Sequence, residues 1–277
     1  MRRRLAWVAA GVTLGIGLLG AWAFWWEPRS LQVQEERISL EGSKLQSLRI
    51  AILADLHVGS PFNGLDNLRR VVDLANASKP DLVCILGDLV IQGVVGGNFV
   101  TPEQIGVELS RLHRPAGGVY GVLGNHDGWL GHDRVATALG NNGVRLVEDR
   151  AEKILTQAGP LWIAGVSDLW TGKHDLAAAL SGIPVDGAPV VLLTHHPDVF
   201  PQVPARVSLT IAGHTHGGQV RLPLIGTPIV PSRFGDRFAA GHIVEGGRHL
   251  FVATGIGTSI LPVRFRVPPA ISLLTIE

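Results

Sequence analysis

The chain has 277 residues, 46% of them hydrophobic and 17% charged, which allows a sizeable core and excludes wholesale disorder. Lys+Arg total 24 against 23 Asp+Glu, a net charge of +1, so no concentrated basic face argues for a nucleic-acid partner. A single cysteine, Cys84, excludes an internal disulfide framework and a thiolate zinc cluster, while 11 histidines direct attention to imidazole and carboxylate chemistry.

Residues 1–4 are a basic start, and residues 5–26 are an uncharged apolar run. At about 1.5 Å per residue, such a helix spans a hydrocarbon core of about 30 Å. Arg2, Arg3 and Arg4 precede the run and only Arg29 lies close behind it. The positive-inside rule then keeps the N-terminus in the cytoplasm. The expectation is a single-pass protein of the inner (cytoplasmic) membrane with its catalytic domain on the extracytoplasmic side. Trp22, Trp25 and Trp26 fall at the far end of the run, at headgroup depth. Ala21-Trp22-Ala23 is also an acceptable signal-peptide cleavage site. The aromatic residues around it would make an odd mature N-terminus, and a transmembrane signal-anchor is the preferred reading.

Residues 27–47 are polar and mixed, and read as a linker plus an edge strand, with partial alternation from Leu31 to Leu40. Residues 48–277 contain no repeat or charge block and read as one domain. Its first half alternates strand and helix. Arg49–Ala54 is a continuous apolar run fit for a strand buried on both faces, and Leu82–Leu86 is the next. Between them Leu65–Ala77 has helical spacing and is closed by Pro80. Thr101-Pro102-Glu103-Gln104 is a capping box that starts a further helix. Val119–Leu123 reads as strand and His132–Leu139 as helix. The second half is β-rich, with strands expected at 161–166, 189–194, 207–212, 249–254 and 270–276. Together the halves suggest two packed sheets with helices outside.

Short polar motifs follow these strands: Asp55-Leu56-His57, Gly87-Asp88, Gly124-Asn125-His126-Asp127, Thr194-His195-His196-Pro197 and Gly213-His214-Thr215-His216. Each falls at the carboxyl end of an expected strand, where open α/β sheets place ligands. Asp-x-His alone is uninformative and Gly-Asp is a common turn; the ordered set of five is what carries meaning. Asp55 and His57, like His214 and His216, are two residues apart and point the same way off an extended strand end. The chemistry suits two divalent ions about 3.5–4 Å apart, with Asp88 able to bridge them. Mixed His, Asp and Asn ligation favours Mn, Zn or Fe over Ca or Mg. Such ions would lower the pKa of a water held between them.

The set D-x-H … G-D … G-N-H-D … H … G-H-x-H resembles the calcineurin-like metallophosphoesterase superfamily across about residues 48–277. The resemblance implies an α/β fold, a four-layer αββα sandwich of two mixed β-sheets. It implies that Asp55, His57, Asp88 and His216 hold one metal and that Asp88, Asn125, His195 and His214 hold the other. It makes His126 the catalytic group that meets the phosphate and protonates the leaving group, oriented by a neighbouring carboxylate, and puts His196 behind the ligands. Protein Ser/Thr phosphatases carry G-D-x-V-D-R-G, whereas here the run is Gly87-Asp88-Leu89-Val90-Ile91-Gln92-Gly93, which argues against that activity. Asp55-Leu56-His57-Val58-Gly59, the run from Gly213 to Pro223 and Gly255-Ile256-Gly257-Thr258-Ser259 are similar to the membrane-linked YaeI/YkuE-like branch.

The resemblance implies a phosphodiester or diphosphate substrate, lipid-linked or from the envelope, with UDP-2,3-diacylglucosamine of lipid A biosynthesis a candidate. That molecule is made in the cytosol, which conflicts with an extracytoplasmic domain. The alternative is a generic extracytoplasmic phosphodiesterase on a non-lipid substrate. A non-catalytic scaffold would show lost ligands, and none is lost. Trp129 and Trp170 are candidates to rim the site, and Arg221, Arg233, Arg237, Arg264 and Arg266 read singly as solvated surface. His113, His132, His174, His242 and His249 lack ligand spacing, and Cys84 reads as inert core.

Overall fold

The computed structural model describes residues 2–40, 47–185 and 187–277. Helix α1 (Arg2–Ala21) runs on through a π turn at Trp22–Trp26 and a 3₁₀ turn at Glu27–Arg29. Arg3–Arg29 is a helix long and apolar enough to cross a membrane, and none of its most apolar stretch is buried against the rest of the chain.

In chain order the strands are β1 (Gln32–Ile38), β2 (Arg49–Leu53), β3 (Leu82–Ile85), β4 (Val119–Gly121), β5 (Arg145–Leu146), β6 (Arg150–Thr156), β7 (Gly159–Gly165), β8 (Val190–Leu193), β9 (Leu209–Ala212), β10 (Gly241–Glu245), β11 (Arg248–Val252) and β12 (Ala270–Ile276). They form two six-stranded sheets, ordered β1-β12-β2-β3-β4-β5 and β10-β11-β9-β8-β7-β6. Both are mixed. In the first, β2 to β5 run parallel and β12 is antiparallel to β2. In the second, β7, β8, β9 and β11 run parallel, flanked by antiparallel β6 and β10.

Strand alternation builds the layers. Ile50 and Ile52 of β2, Cys84 of β3, Leu161 and Ile163 of β7, Leu193 of β8 and Ile211 of β9 share the core between the sheets. Ala51 and Leu53 point the other way, joining Val71, Val72, Ile105 and Leu139 under the helices α2 (Leu65–Ala77), α3 (Pro102–Leu109) and α4 (Asn125–Gly140). Beyond the second sheet, Leu192, Leu180, Phe200 and Phe238 form a third cluster under α5 (Leu176–Ser181) and the 3₁₀ turn Pro197–Gln202. The architecture is the expected αββα sandwich. Strands apolar on both faces are what such a sandwich requires.

Helix α2 has the residues its spacing predicts, and α3 begins at the capping box, with Thr101 Oγ1 accepting from Gln104 N and Gln104 Oε1 from Thr101 N. Helix α4 differs. It begins at Asn125, inside the polar motif, because the Asp127 carboxylate accepts from Gly124 N at 3.0 Å and caps the first turn. A non-helical break at Gly131 then separates this turn from the stretch over which apolar spacing shows. Strands β6 and β10 also escape a search for apolar runs, since their burial alternates at the sheet margins. Strand β1 pairs parallel with β12 and completes the first sheet from ahead of residue 48. Cys84 is fully buried, and burial pushes its thiol pKa up.

Leu193→Ala, in the core between the sheets, should cost about 2–5 kcal/mol, whereas Thr101→Ala at the helix cap should cost about 1 kcal/mol. Urea unfolding followed by tryptophan fluorescence measures both.

Candidate metal centre

Asp55, His57, Asp88, Asn125, His195, His214 and His216 stand within a few residues of the carboxyl ends of β2, β3, β4, β8 and β9. The two sheets bring them to one buried focus. Carboxylate and imidazole atoms of Asp55, His57 and His216 lie within 4.8 Å of one another, as do those of Asp55, Asp88 and His195. Asp88 sits between the two halves: its Oδ2 is 3.5 Å from His57 Nε2 and 3.3 Å from His195 Nε2. Asn125 Oδ1 and His214 Nδ1 also approach His195 Nε2, each at 3.1 Å. His57 Nε2 meets His216 Nε2 at 3.1 Å. His196, the neighbour of His195, has its Nε2 3.0 Å from Asp168 Oδ2 while its ring packs on His214.

The way these side chains converge differs from the extended alternation expected of them. Asp55, His57, Asp88, His214 and His216 all have positive φ, between +37° and +70°. Non-glycine residues adopt this region at a cost, and such strain concentrates where function imposes a geometry. Left-handed turns, rather than continued strand, curl each tip inward over the sheet edge.

The donor set fits divalent cations. His57 Nδ1 lies 3.2 Å from the Val90 carbonyl and His195 Nδ1 2.7 Å from that of Leu86. Hydrogen bonds donated there leave both Nε2 atoms facing Asp88, whose negative charge raises His195 to about 10 despite its burial. His214 Nε2 and His216 Nδ1 are buried without a hydrogen-bond partner. Burial lowers His57 to about 4 and holds His214 and His216 well below the ordinary histidine range, so these imidazoles stay neutral. Burial also raises the Asp55 carboxyl to about 7. Lone pairs facing lone pairs, with a carboxylate short of charge compensation, are what a bound cation resolves.

A cavity of about 380 Å³ opens above this focus. Asp88, Asn125, His126, His214 and His216 reach it, and Trp129, Trp170, Ile229, Pro231 and Ile260 wall it. The rings of Trp129 and Trp170 stack at 6.1 Å; Trp129 also packs on His126 and Trp170 on His196 and His214.

A model of the family described as calcineurin-like phosphoesterase matches residues 48–218, a stretch that holds every residue of this focus. The chain belongs to that family. Its site and its membership make it a metal-dependent phosphoester hydrolase. Along 98% of its length this phosphoesterase is 30% identical to YkuE of Bacillus subtilis, an uncharacterized metallophosphoesterase, covering 93% of that protein. Along 99% of its length it is 29% identical to the phosphodiesterase YaeI of Escherichia coli, covering 97% of it. A putative 5′-nucleotidase from Staphylococcus aureus shares the fold at a TM-score of 0.50 and 12% identity over 82% of this chain; the chain spans about half that structure, 54% of it.

Three residues that support the phosphoesterase site carry no clear sign in the sequence. The sequence implies a neighbouring carboxylate to orient His126, but the adjacent Asp127 accepts from the backbone of Leu89 (2.9 Å) and Gly124 (3.0 Å) and joins two loops. The His126 ring is instead held by packing against His57 and Trp129, with its Nδ1 buried and unpartnered. Asp168 accepts from Trp170 N and Thr171 N, fixing the loop that carries Trp170; the His196 imidazole beside it keeps its carboxyl below the usual range despite burial. Arg264, which sequence reasoning puts at the surface, is fully buried. Its guanidinium donates to the carbonyls of Thr254, Gly255, Gly257 and Val267, and burial lowers its pKa to about 10. That cradle holds Gly255, where a Cβ would come 2.7 Å from Asp55 Cβ.

The other arginines and histidines fall elsewhere. Arg233 pairs with Asp198 and Arg237 with Glu245. His132 pairs with Glu148, His174 Nδ1 faces the Ser167 carbonyl, and His242 meets His249 on the second sheet's edge.

Gly124 admits no side chain, because a Cβ there would lie 2.3 Å from Asp88 Oδ1 and 2.8 Å from His195 Cε1. Gly124→Ala should leave the fold intact but weaken Mn²⁺ binding about 10- to 100-fold, as disturbed support of metal ligands does. Calorimetric titration of the metal-stripped protein measures it.

Proposed function

We propose that this phosphoesterase hydrolyses a phosphodiester or diphosphate bond of a lipid-linked or envelope substrate, using two divalent ions of Mn, Zn or Fe. The observation that carries the reading is the Asp88 carboxylate between His57 Nε2 and His195 Nε2, at the floor of a cavity walled by two tryptophans. Asp55, His57, Asp88 and His216 would hold one ion, and Asp88, Asn125, His195 and His214 the other. When bound, such a pair supplies charge neutralisation for the phosphoryl group and a water acidified towards neutral pH.

The chain's own groups do the rest. His126 reaches the same cavity as Asp88 and Asn125, and its backbone N–H donates to Asp88 Oδ1 at 2.9 Å. Its imidazole therefore moves only as far as the Asp88 loop allows, and it stands where the departing oxygen needs a proton. Trp129 and Trp170 offer flat apolar faces to a sugar or base. Ile91 and Gln92 stand where a protein phosphatase would place its carboxylate and arginine, so small or lipid-borne esters suit the site better than phosphoprotein.

The apolar run 5–26, within the helix Arg3–Arg29, serves as a single-pass anchor in an inner (cytoplasmic) membrane, and Arg2, Arg3 and Arg4 ahead of the run favour an extracytoplasmic catalytic domain, residues 48–277 with strand β1 added. Retention of the anchor is supported at the one plausible cleavage point. Ala23 is buried, and its carbonyl accepts from Arg264 N at 2.9 Å. A C-terminal alkaline phosphatase fusion should be active and a green fluorescent fusion dark; the reverse pattern places the domain in the cytosol.

Asp88→Asn should lose metal and activity together, whereas His126→Ala should keep its metal and lose about 10²–10⁴-fold in kcat. Metal content by mass spectrometry and hydrolysis of bis-p-nitrophenyl phosphate read these out. With UDP-2,3-diacylglucosamine offered in detergent, release of UMP by the Mn²⁺-loaded protein in a reaction that Asp88→Asn abolishes would assign that substrate and overturn the extracytoplasmic location. Cleavage of the generic diester alone would retain the chemistry and remove that substrate.

A further inference from the structure

Several apolar side chains that the fold leaves in water gather beside the cavity. Leu224 is fully exposed, Ile225 is 72% exposed and Ile260 70%; Ile229 and Leu261 are also exposed. They belong to two tight loops. Leu222 and Gly226 exchange both backbone hydrogen bonds, at 2.8 and 3.0 Å, so that Pro223, Leu224 and Ile225 form the tip of a closed hairpin. The second loop, around Ile260, is tied to the base of the first, because the Gln219 side chain bonds Ser259 N and Ser259 O. A rigid hairpin that presents leucine and isoleucine at its tip gains nothing from folding against its own domain. Exposed apolar patches of this kind mark contact with another phase or partner.

The neighbouring contacts identify which. The hairpin base pairs with the segment that receives the apolar helix: Arg221 N donates to Phe265 O, Phe265 N to Gln219 O, and the adjacent Arg264 N to Ala23 O. Glu27, buried at 4% exposure, accepts from Val267 N and from Trp22 Nε1, both at 2.6 Å. Arg29 lies between the rings of Trp25 and Phe62, at 4.1 and 4.0 Å. Residues 23–29 are therefore packed into the domain and set its orientation, where a loose tether would leave it free. Ile229 and Ile260, from the same two loops, wall the cavity above Asp88.

We infer that the hairpin tip 223–225 and the turn 260–261 seat in the interface of the bilayer that the N-terminal helix crosses, so that the cavity mouth faces lipid and its substrate is a phosphodiester or diphosphate on a membrane lipid headgroup. The inference rests on the reading of residues 3–29 as an anchor and of the cavity as a phosphoesterase site. The occupant of the apolar loops is the bilayer, because they are continuous with the helix exit. The tryptophans at that exit and the loop isoleucines and leucines together suit the boundary between headgroups and acyl chains.

The test uses the full chain in phosphatidylethanolamine–phosphatidylglycerol nanodiscs, with Cys84→Ser removing the native thiol. An environment-sensitive fluorophore is placed through Ile225→Cys or Leu261→Cys, and for comparison through Leu155→Cys or Val185→Cys, exposed sites before β7 and β8 at the opposite end of the parallel strands. Lipids spin-labelled near the headgroup should quench the first pair and leave the second bright. No quenching at 225 and 261 overturns the docking, whatever the enzyme cleaves. Leu224→Ser with Ile225→Ser should lower hydrolysis of a lipid-borne phosphodiester in vesicles by about tenfold while leaving bis-p-nitrophenyl phosphate turnover within about twofold. An equal loss on both substrates overturns lipid presentation. If neither substrate is cleaved, the phosphoesterase reading fails, and the quenching still decides the docking.

Discussion

A set of buried lone pairs that cannot satisfy one another governs this molecule. His57, His195, His214 and His216 converge with Asp55 and Asp88 in a buried region beneath the cavity, at nitrogen–nitrogen separations of 3.1 Å. Without a cation, desolvation drives Asp55 towards the neutral acid and His57, His214 and His216 away from any charge. Such a cluster is unfavourable alone and becomes favourable around divalent ions. The strained backbone at five of these residues belongs to the same constraint, since the β-sandwich must hold the tips inward against their own preference.

Rigidity of the frame makes that possible. Two sheets share an apolar core of close-packed aliphatic residues, and the parallel strands of both end on the same side. Loops leaving those ends are cross-tied by carboxylates that never reach the cavity. Asp127 joins the Gly124 turn to the Leu89 loop, and Asp168 joins the Trp170 loop to His196. Each is an acceptor for several donors, so each fixes a loop more firmly than a single side-chain contact could.

The same logic extends to the N-terminal helix. Arg264 fills the space behind Gly255 with its guanidinium bonded to four carbonyls, while its own N–H holds Ala23 at the end of the apolar helix. One residue thus contacts both the helix exit and the backbone that presses on Asp55. The apolar helix and the centre are parts of one packed structure, with the exposed apolar loops beside them.

Motif order, strand-end placement and apolar runs made the sandwich, the converging residues and the membrane-length helix legible from the sequence, because each is a local pattern with a fixed period or spacing. Helix α2 and the Thr101 cap were readable for the same reason. What the sequence could not show were relations between distant segments: the early start of α4 on an Asp127 cap, the burial of Arg264, the bare packing that holds His126, and strands β6 and β10 with only half a buried face. An arginine in a loop-rich stretch looks solvated until four carbonyls from another turn surround it. Spacing announces which atoms are available for chemistry; only the folded chain decides what surrounds each of them, because burial and hydrogen-bond partners are set by segments far apart in the sequence.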